Sequence, residues 1–259
     1  MLTAAPALAQ DEVPVDVELV FAVDVSLSMS QEELEIQRHG YAAALADKAV
    51  IDAIAKGLHQ RIAVTYVEWA GDTYQRVIIP WRLIESEADA KRVSEELAEN
   101  RPRGARRTSI SGAIRESAAL FDGNGFRGMK RVIDVSGDGP NNQGMPVLEA
   151  RDAVTGQGIT INGLPLMTNM GFGSTFNIKD LDAYYANCVI GGPAAFSIPV
   201  TEWTQFPEAV RRKLVLELAG RQPEEKPRLI RTAGAEPYDC MIGEKLWLQR
   251  RELFWGDDN

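Results

Sequence analysis

The sequence predicts an α/β fold: a doubly wound, mostly parallel open sheet of the Rossmann-like kind, with one antiparallel edge strand. Three observations lead there. Strand-length apolar runs alternate with helical periodicities along the chain. The first run, Val17 to Val23, is almost continuously apolar, as suits a central strand buried on both faces. Two carboxylates, Asp24 and Asp138, follow strand ends directly, where open sheets of this kind bind ligands. With 259 residues, 45% of them hydrophobic, the chain can build one large domain with a full core.

The elements follow in order. A strand over 16–24 ends at Asp24. Ser30 and Glu33 have capping-box spacing and open a helical stretch to about Lys56, with a break near Asp47. Strands over 61–69 and 75–81 are joined by the short link Ala70-Gly71-Asp72-Thr73, which permits a hairpin and makes the third strand the antiparallel edge. Helices are expected over 87–99 and 109–122, the second with Ile110, Ala113, Ile114, Ser117 and Phe121 on one face. Between them lies a loop with Arg101, Arg103, Arg106 and Arg107. A strand over 129–136 stops at Gly137-Asp138-Gly139-Pro140. A helix over 146–157, a strand over 159–164, a helix near 177–186 and a strand near 194–200 come next. The last clear helix, 203–219, carries Phe206, Val210, Leu214 and Leu218 on one face and stops at Gly220. Beyond Arg221, Pro, Glu, Lys and Arg dominate, and an extended tail is expected until Cys240 anchors it.

The formal net charge of -9 argues against general nucleic-acid binding, which needs a surplus of Lys and Arg on the binding face. No stretch has the apolar length of a transmembrane segment. Residues 1–9 resemble the end of a signal peptide, because Ala7-Leu8-Ala9 has the small-x-small cleavage pattern; the alternative is a frayed Ala-rich N-terminus. The expected division is therefore a signal-peptide remnant over 1–9, a domain over 10–220 and a tail over 221–259. A periplasmic or secreted bacterial protein fits this reading. The two cysteines, Cys188 and Cys240, form a disulfide in such an oxidising compartment; two buried free thiols are the cytoplasmic alternative.

Asp24-Val25-Ser26-Leu27-Ser28 is the most specific feature of the chain. A carboxylate and two spaced hydroxyls at a strand end offer hard oxygen donors of the type that Mg2+ prefers. With Thr108 opening a helix and Asp138-Gly139 following a hydrophobic strand, the pattern resembles the metal-ion-dependent adhesion site of von Willebrand factor type A domains. The resemblance spans most of residues 16–220. The N-terminus and the setting of the cysteines look closest to exported bacterial proteins of that type whose function is not established.

The resemblance implies direct ligation of Mg2+ (or Mn2+) by the Ser26 and Ser28 hydroxyls. Thr108 would add a third hydroxyl in the ligand-bound state, and Asp24 and Asp138 would act through water. It implies an open metal position that takes a carboxylate from a protein partner, with the last helix, 203–219, moving as the site fills. Arg106 and Arg107 depart from the family pattern, which often has glycine there. With Arg103 they are either solvated loop charges or a basic rim that steers an acidic partner. Asp134 reads as a buried, hydrogen-bonded carboxylate. His39 and His59 lack metal-ligand spacing.

These readings favour a non-enzymatic, metal-dependent binding module. A Mg2+-dependent hydrolase or phosphotransferase is the alternative, but no Asp-X-Asp pair, Gly-X-Ser-X-Gly elbow or Walker loop is present. An exported structural domain with a vestigial site is the third possibility.

Overall fold

The computed structural model describes residues 12–99, 101–168, 178–219 and 237–255. A five-stranded sheet forms its centre, in the order β3-β2-β1-β4-β5. The strands are β1 (Val13–Asp24), β2 (Ile62–Trp69), β3 (Gln75–Ile84), β4 (Phe126–Gly137) and β5 (Ile159–Pro165). All neighbours are parallel except β2 and β3, the expected antiparallel edge. Pro80 lies within β3, where an edge strand tolerates a residue with no N–H to donate.

Residues alternate between two cores along β1. Val17, Leu19, Phe21 and Val23 face a layer formed by α1 (Gln31–Leu45), α2 (Lys48–Ala55), α3 (Glu87–Glu99) and α7 (Phe206–Ala219). Val20 and Ala22 face the opposite layer of α4 (Ile110–Ala119), α5 (Val147–Thr155) and α6 (Leu181–Tyr184), the last continued by a π turn, Tyr185–Val189. This double burial explains the near-continuous apolar character of the strand.

The helical stretch after Ser30 breaks where expected. Ser30 caps α1 with the reciprocal Glu33 bond, and the Asp47 side chain accepts from Ala49 N–H to cap α2.

Several elements differ from the sequence reading. β1 and β4 both begin three residues earlier, because Val13–Val15 pairs with Phe126–Gly128. The strand near 194–200 is reduced to isolated bridges, Gly163 with Ser197 and Leu166 with Val200. Pro193 and Pro199 lack the N–H groups that a continuous ladder needs. Past Cys240, where no element was expected, Ile242–Trp255 forms α8. The expected signal remnant, the Gly220 stop and the stretch 221–236 lie outside the described residues.

The Cys188–Cys240 disulfide is present, with Cα atoms 5.5 Å apart, and joins the π turn to the start of α8. Among the described residues, no helix is long and apolar enough to cross a membrane.

Beneath the sheet, Lys213 of α7 is fully buried. Its Nζ lies 2.6 Å from Asp134 Oδ1 and 2.5 Å from Glu217 Oε1. Asn162 donates to Glu217, and the Phe196 N–H donates to Asn162. Asp134 is thus buried, as expected, but held by an ion pair. Burial pushes its pKa up, against the pull of Lys213 and with the help of Glu217, to about 7.

Candidate metal site

β1 and β4 are hydrogen-bonded neighbours, with Val23 level with Ser136, so the loops after Asp24 and Gly137 emerge side by side. The chain leaves β1 for β2 on one side, while β4 lies on the other. The site therefore occupies the switch point of the sheet.

Asp24 is fully buried, and its Oδ1 accepts from Ser26 N–H at 2.7 Å, which folds the Asp24–Ser28 turn back on itself. Ser26 and Ser28 share a 2.8 Å hydroxyl contact, and Ser28 Oγ donates to Asp138 Oδ1 at 2.8 Å. Four of the five sequence-predicted residues thus form one hydrogen-bonded chain. Ser28 is exposed at its outer end, whereas Ser26 and Asp138 are buried.

Thr108 is brought alongside by its backbone. Its N–H donates to Asn142 Oδ1 at 3.0 Å, and its carbonyl accepts from Asn142 N–H at 2.9 Å. Upstream, Ala105 exchanges backbone bonds with Val25 and Leu27, and Ser109 N–H donates to Ala70 O. The Thr108 loop is therefore pinned to the loops after β1, β2 and β4.

The electrostatics are costly as they stand. Burial, and then the neighbouring Asp138 carboxylate, push the Asp24 pKa well above the ordinary carboxylate range. Asp24 Oδ2 is buried with no hydrogen-bond partner. A cation beside these carboxylates would offset both penalties. Two carboxylates and three hydroxyls also match the oxygen-only preference of a hard divalent ion, so the residues fit such a group. Among the described residues, no cluster of three or more His, Cys, Asp or Glu is placed to hold a metal.

The arginines divide. Arg103 and Arg106 are exposed, but Arg107 is half-buried, with its guanidinium 3.4 Å from the centroid of the Trp247 ring on α8. Arg107 also holds a positive φ of 78°, a conformation in which glycine is at ease and other residues are strained. Stacking under Trp247 helps to hold it there. His39 is exposed, with its Nδ1 at the Glu35 carbonyl, and His59 is half-buried, with its backbone N–H donating to Asp16.

Sequence reading missed several supports. Gly137 must lack a side chain, since a Cβ would come 2.9 Å from Tyr185 Oη and 3.0 Å from Asp24 Oδ2. Asn142 brackets Thr108, and Asn141 Oδ1 accepts from Ser111 N–H in the first turn of α4. The Asn141-Asn142 pair beyond Asp138 was the available signal, since Asn at a loop can bond backbone from both ends of its amide.

Residues 14–222 match a family model described as a protein of unknown function (DUF1194). No curated protein matches the chain. Among similar solved structures is proximal thread matrix protein 1 from the mussel byssus with a zinc-occupied MIDAS motif. It is 16% identical, over 80% of this chain and 49% of that one, with a TM-score of 0.54. The pilus adhesin SpaC from Lactobacillus rhamnosus GG is 11% identical, over 79% of this chain and 31% of that one, with a TM-score of 0.54. A von Willebrand factor type A protein from Catenulispora acidiphila is 16% identical, over 80% of this chain and 43% of that one, with a TM-score of 0.51. The chain spans about half the length of the mussel protein. At these identities the likeness establishes the von Willebrand factor type A fold and leaves activity to the site itself.

Proposed function

The chain belongs to the DUF1194 family, and from that premise we propose that it is a divalent-metal-dependent, non-enzymatic binding module that docks an acidic group of a protein partner. Asp24, Ser26, Ser28, Thr108 and Asp138 would hold Mg2+ or Mn2+, which supplies a Lewis-acidic position for an incoming carboxylate oxygen.

The orphaned, buried Asp24 Oδ2 beside Asp138 carries this reading. Two carboxylates folded together form an anionic pocket at a loop edge. The Ser26 and Ser28 hydroxyls add donors without adding charge. The first turns of α1 and α4, which begin just after these loops, favour an incoming anion. Arg103 and Arg106 stand exposed on the neighbouring loop, where they would draw an acidic partner. The Cys188–Cys240 disulfide supports placement in an oxidising, extracytoplasmic compartment of a bacterium.

Calorimetric titration of the purified protein with Mn2+, followed by capture from an envelope extract in Mg2+ or in chelator, tests the proposal. Saturable metal binding and metal-dependent capture, both lost in Asp24→Asn, are expected. A protein that takes up no divalent ion would overturn it.

A further inference from the structure

Helix α8 approaches both of the loops that bring Asp138 and Thr108 to the site. A Cβ on Gly243 would collide with the Asn141 carbonyl oxygen and lie 3.1 Å from Pro140 Cβ, so only a glycine lets the helix sit this close to the loop after Asp138. One residue on, Glu244 Oε1 accepts from Asn141 Nδ2 at 2.7 Å. The other end of that same amide, Asn141 Oδ1, accepts from Ser111 N–H in the first turn of α4. One turn further along α8, Trp247 covers the guanidinium of Arg107, the residue that precedes Thr108. The helix is tethered where it begins, by Cys240 to Cys188.

We infer that Glu244 and Trp247 are positioning residues of the metal site. Glu244 fixes the Asn141 amide, and Trp247 holds Arg107 in its left-handed conformation, so that Asp138 and Thr108 are presented together to Ser26 and Ser28. The inference rests on the metal reading above.

Each acts through a neighbour: Glu244 through Asn141, and Trp247 through Arg107. An outer partner of this kind typically governs about 10-fold to 100-fold in metal affinity. The Glu244 role needs only an acceptor oxygen, which the amide of glutamine also provides. The Trp247 role needs a flat aromatic face, which phenylalanine retains. Conservative and truncating substitutions should therefore part company, which general destabilisation of α8 would not produce in the same pattern.

The test uses the full oxidised chain and two readouts. Mn2+ titration of Glu244→Ala and Trp247→Ala should give Kd values raised about tenfold, with Glu244→Gln and Trp247→Phe returning close to the unaltered protein. Amide hydrogen exchange of the metal-free protein should quicken over 105–111 and 138–145 in Glu244→Ala but not in Glu244→Gln. Unchanged exchange together with unchanged affinity in the alanine variants would overturn the role while leaving the metal site standing. Absence of Mn2+ binding by the unaltered protein would overturn the metal reading, and the role with it.

Discussion

Ser28 Oγ donates to Asp138 Oδ1 at 2.8 Å across 110 residues of chain, closing a hydroxyl–carboxylate relay that starts at Ser26. The two halves of the candidate site are thus already in register when the sheet has formed. What joins them is two exposed or loop-borne hydroxyls rather than core packing.

Replacing both serines, Ser26→Ala with Ser28→Ala, is expected to lower Mn2+ affinity by well over tenfold. Loss of stability should stay at about 1 kcal/mol, because only loop hydroxyls are removed. Titration calorimetry and thermal unfolding of the same preparation check both halves. Unchanged affinity would remove these residues from the ligand set.

Asp24→Asn should stabilise the metal-free protein. Asparagine retains an acceptor for Ser26 N–H but carries no charge into a buried position beside Asp138. A gain on the order of 1–2 kcal/mol, about 3–6 °C in Tm, is expected. The unaltered protein should rise in Tm as Mn2+ is added, by about 2.7 kcal/mol at a hundredfold excess over Kd, and the variant should not. Differential scanning calorimetry with and without metal separates the two effects.

Asp134 sets a pH dependence of the opposite kind from an ordinary surface salt bridge. Its folded-state pKa of about 7 lies above the unfolded carboxylate value, so the native state binds the extra proton. Its contribution to stability is complete below about pH 4 and is lost as pH rises through about 7. Asp134→Asn removes that proton uptake. The difference in unfolding free energy between the two proteins, measured in chelator, should therefore change between pH 5 and 8. An unchanged difference would mean that Asp134 titrates normally.

Arg103 and Arg106 are exposed, so their charges are screened by salt. Neutralising both as Arg103→Gln with Arg106→Gln should slow association with an acidic partner several-fold at low salt, little at high salt, and leave dissociation unaltered. Surface plasmon resonance across an ionic-strength series reads this directly. The same change at Arg107 should act differently, on the loop itself, since Trp247 covers that side chain.

Much of this was legible in the chain. The run from Val17 to Val23 announced a strand buried on both sides, and Ser30 with Glu33 announced the start of α1, because burial and capping are local demands. Asp24, Ser26 and Ser28 alone are a weak signal, since Ser before a helix is usually a cap; their order with Thr108 and Asp138 made the grouping legible, and hydrogen bonds join Asp24, Ser26, Ser28 and Asp138 in the fold. Asn141, Asn142 and Gly137 were not legible, since their roles depend on which loops meet across the sheet. Helix α8 was hidden for a related reason. Trp247 covers the Arg107 loop while Leu248 is exposed, so no broad apolar stripe advertises the helix.

The burial of Lys213 bears on how far an event at the site can travel. Lys213 joins α7 to Asp134 in the middle of β4, and Trp203 Nε1, just before α7, donates to Glu33 on α1. An axial slide of α7 by one turn would carry Nζ about 5.4 Å along the helix axis, stranding the Asp134 carboxylate in the core. A helix fastened in this way resists axial movement, so under the proposed function the domain would suit an anchor better than a relay.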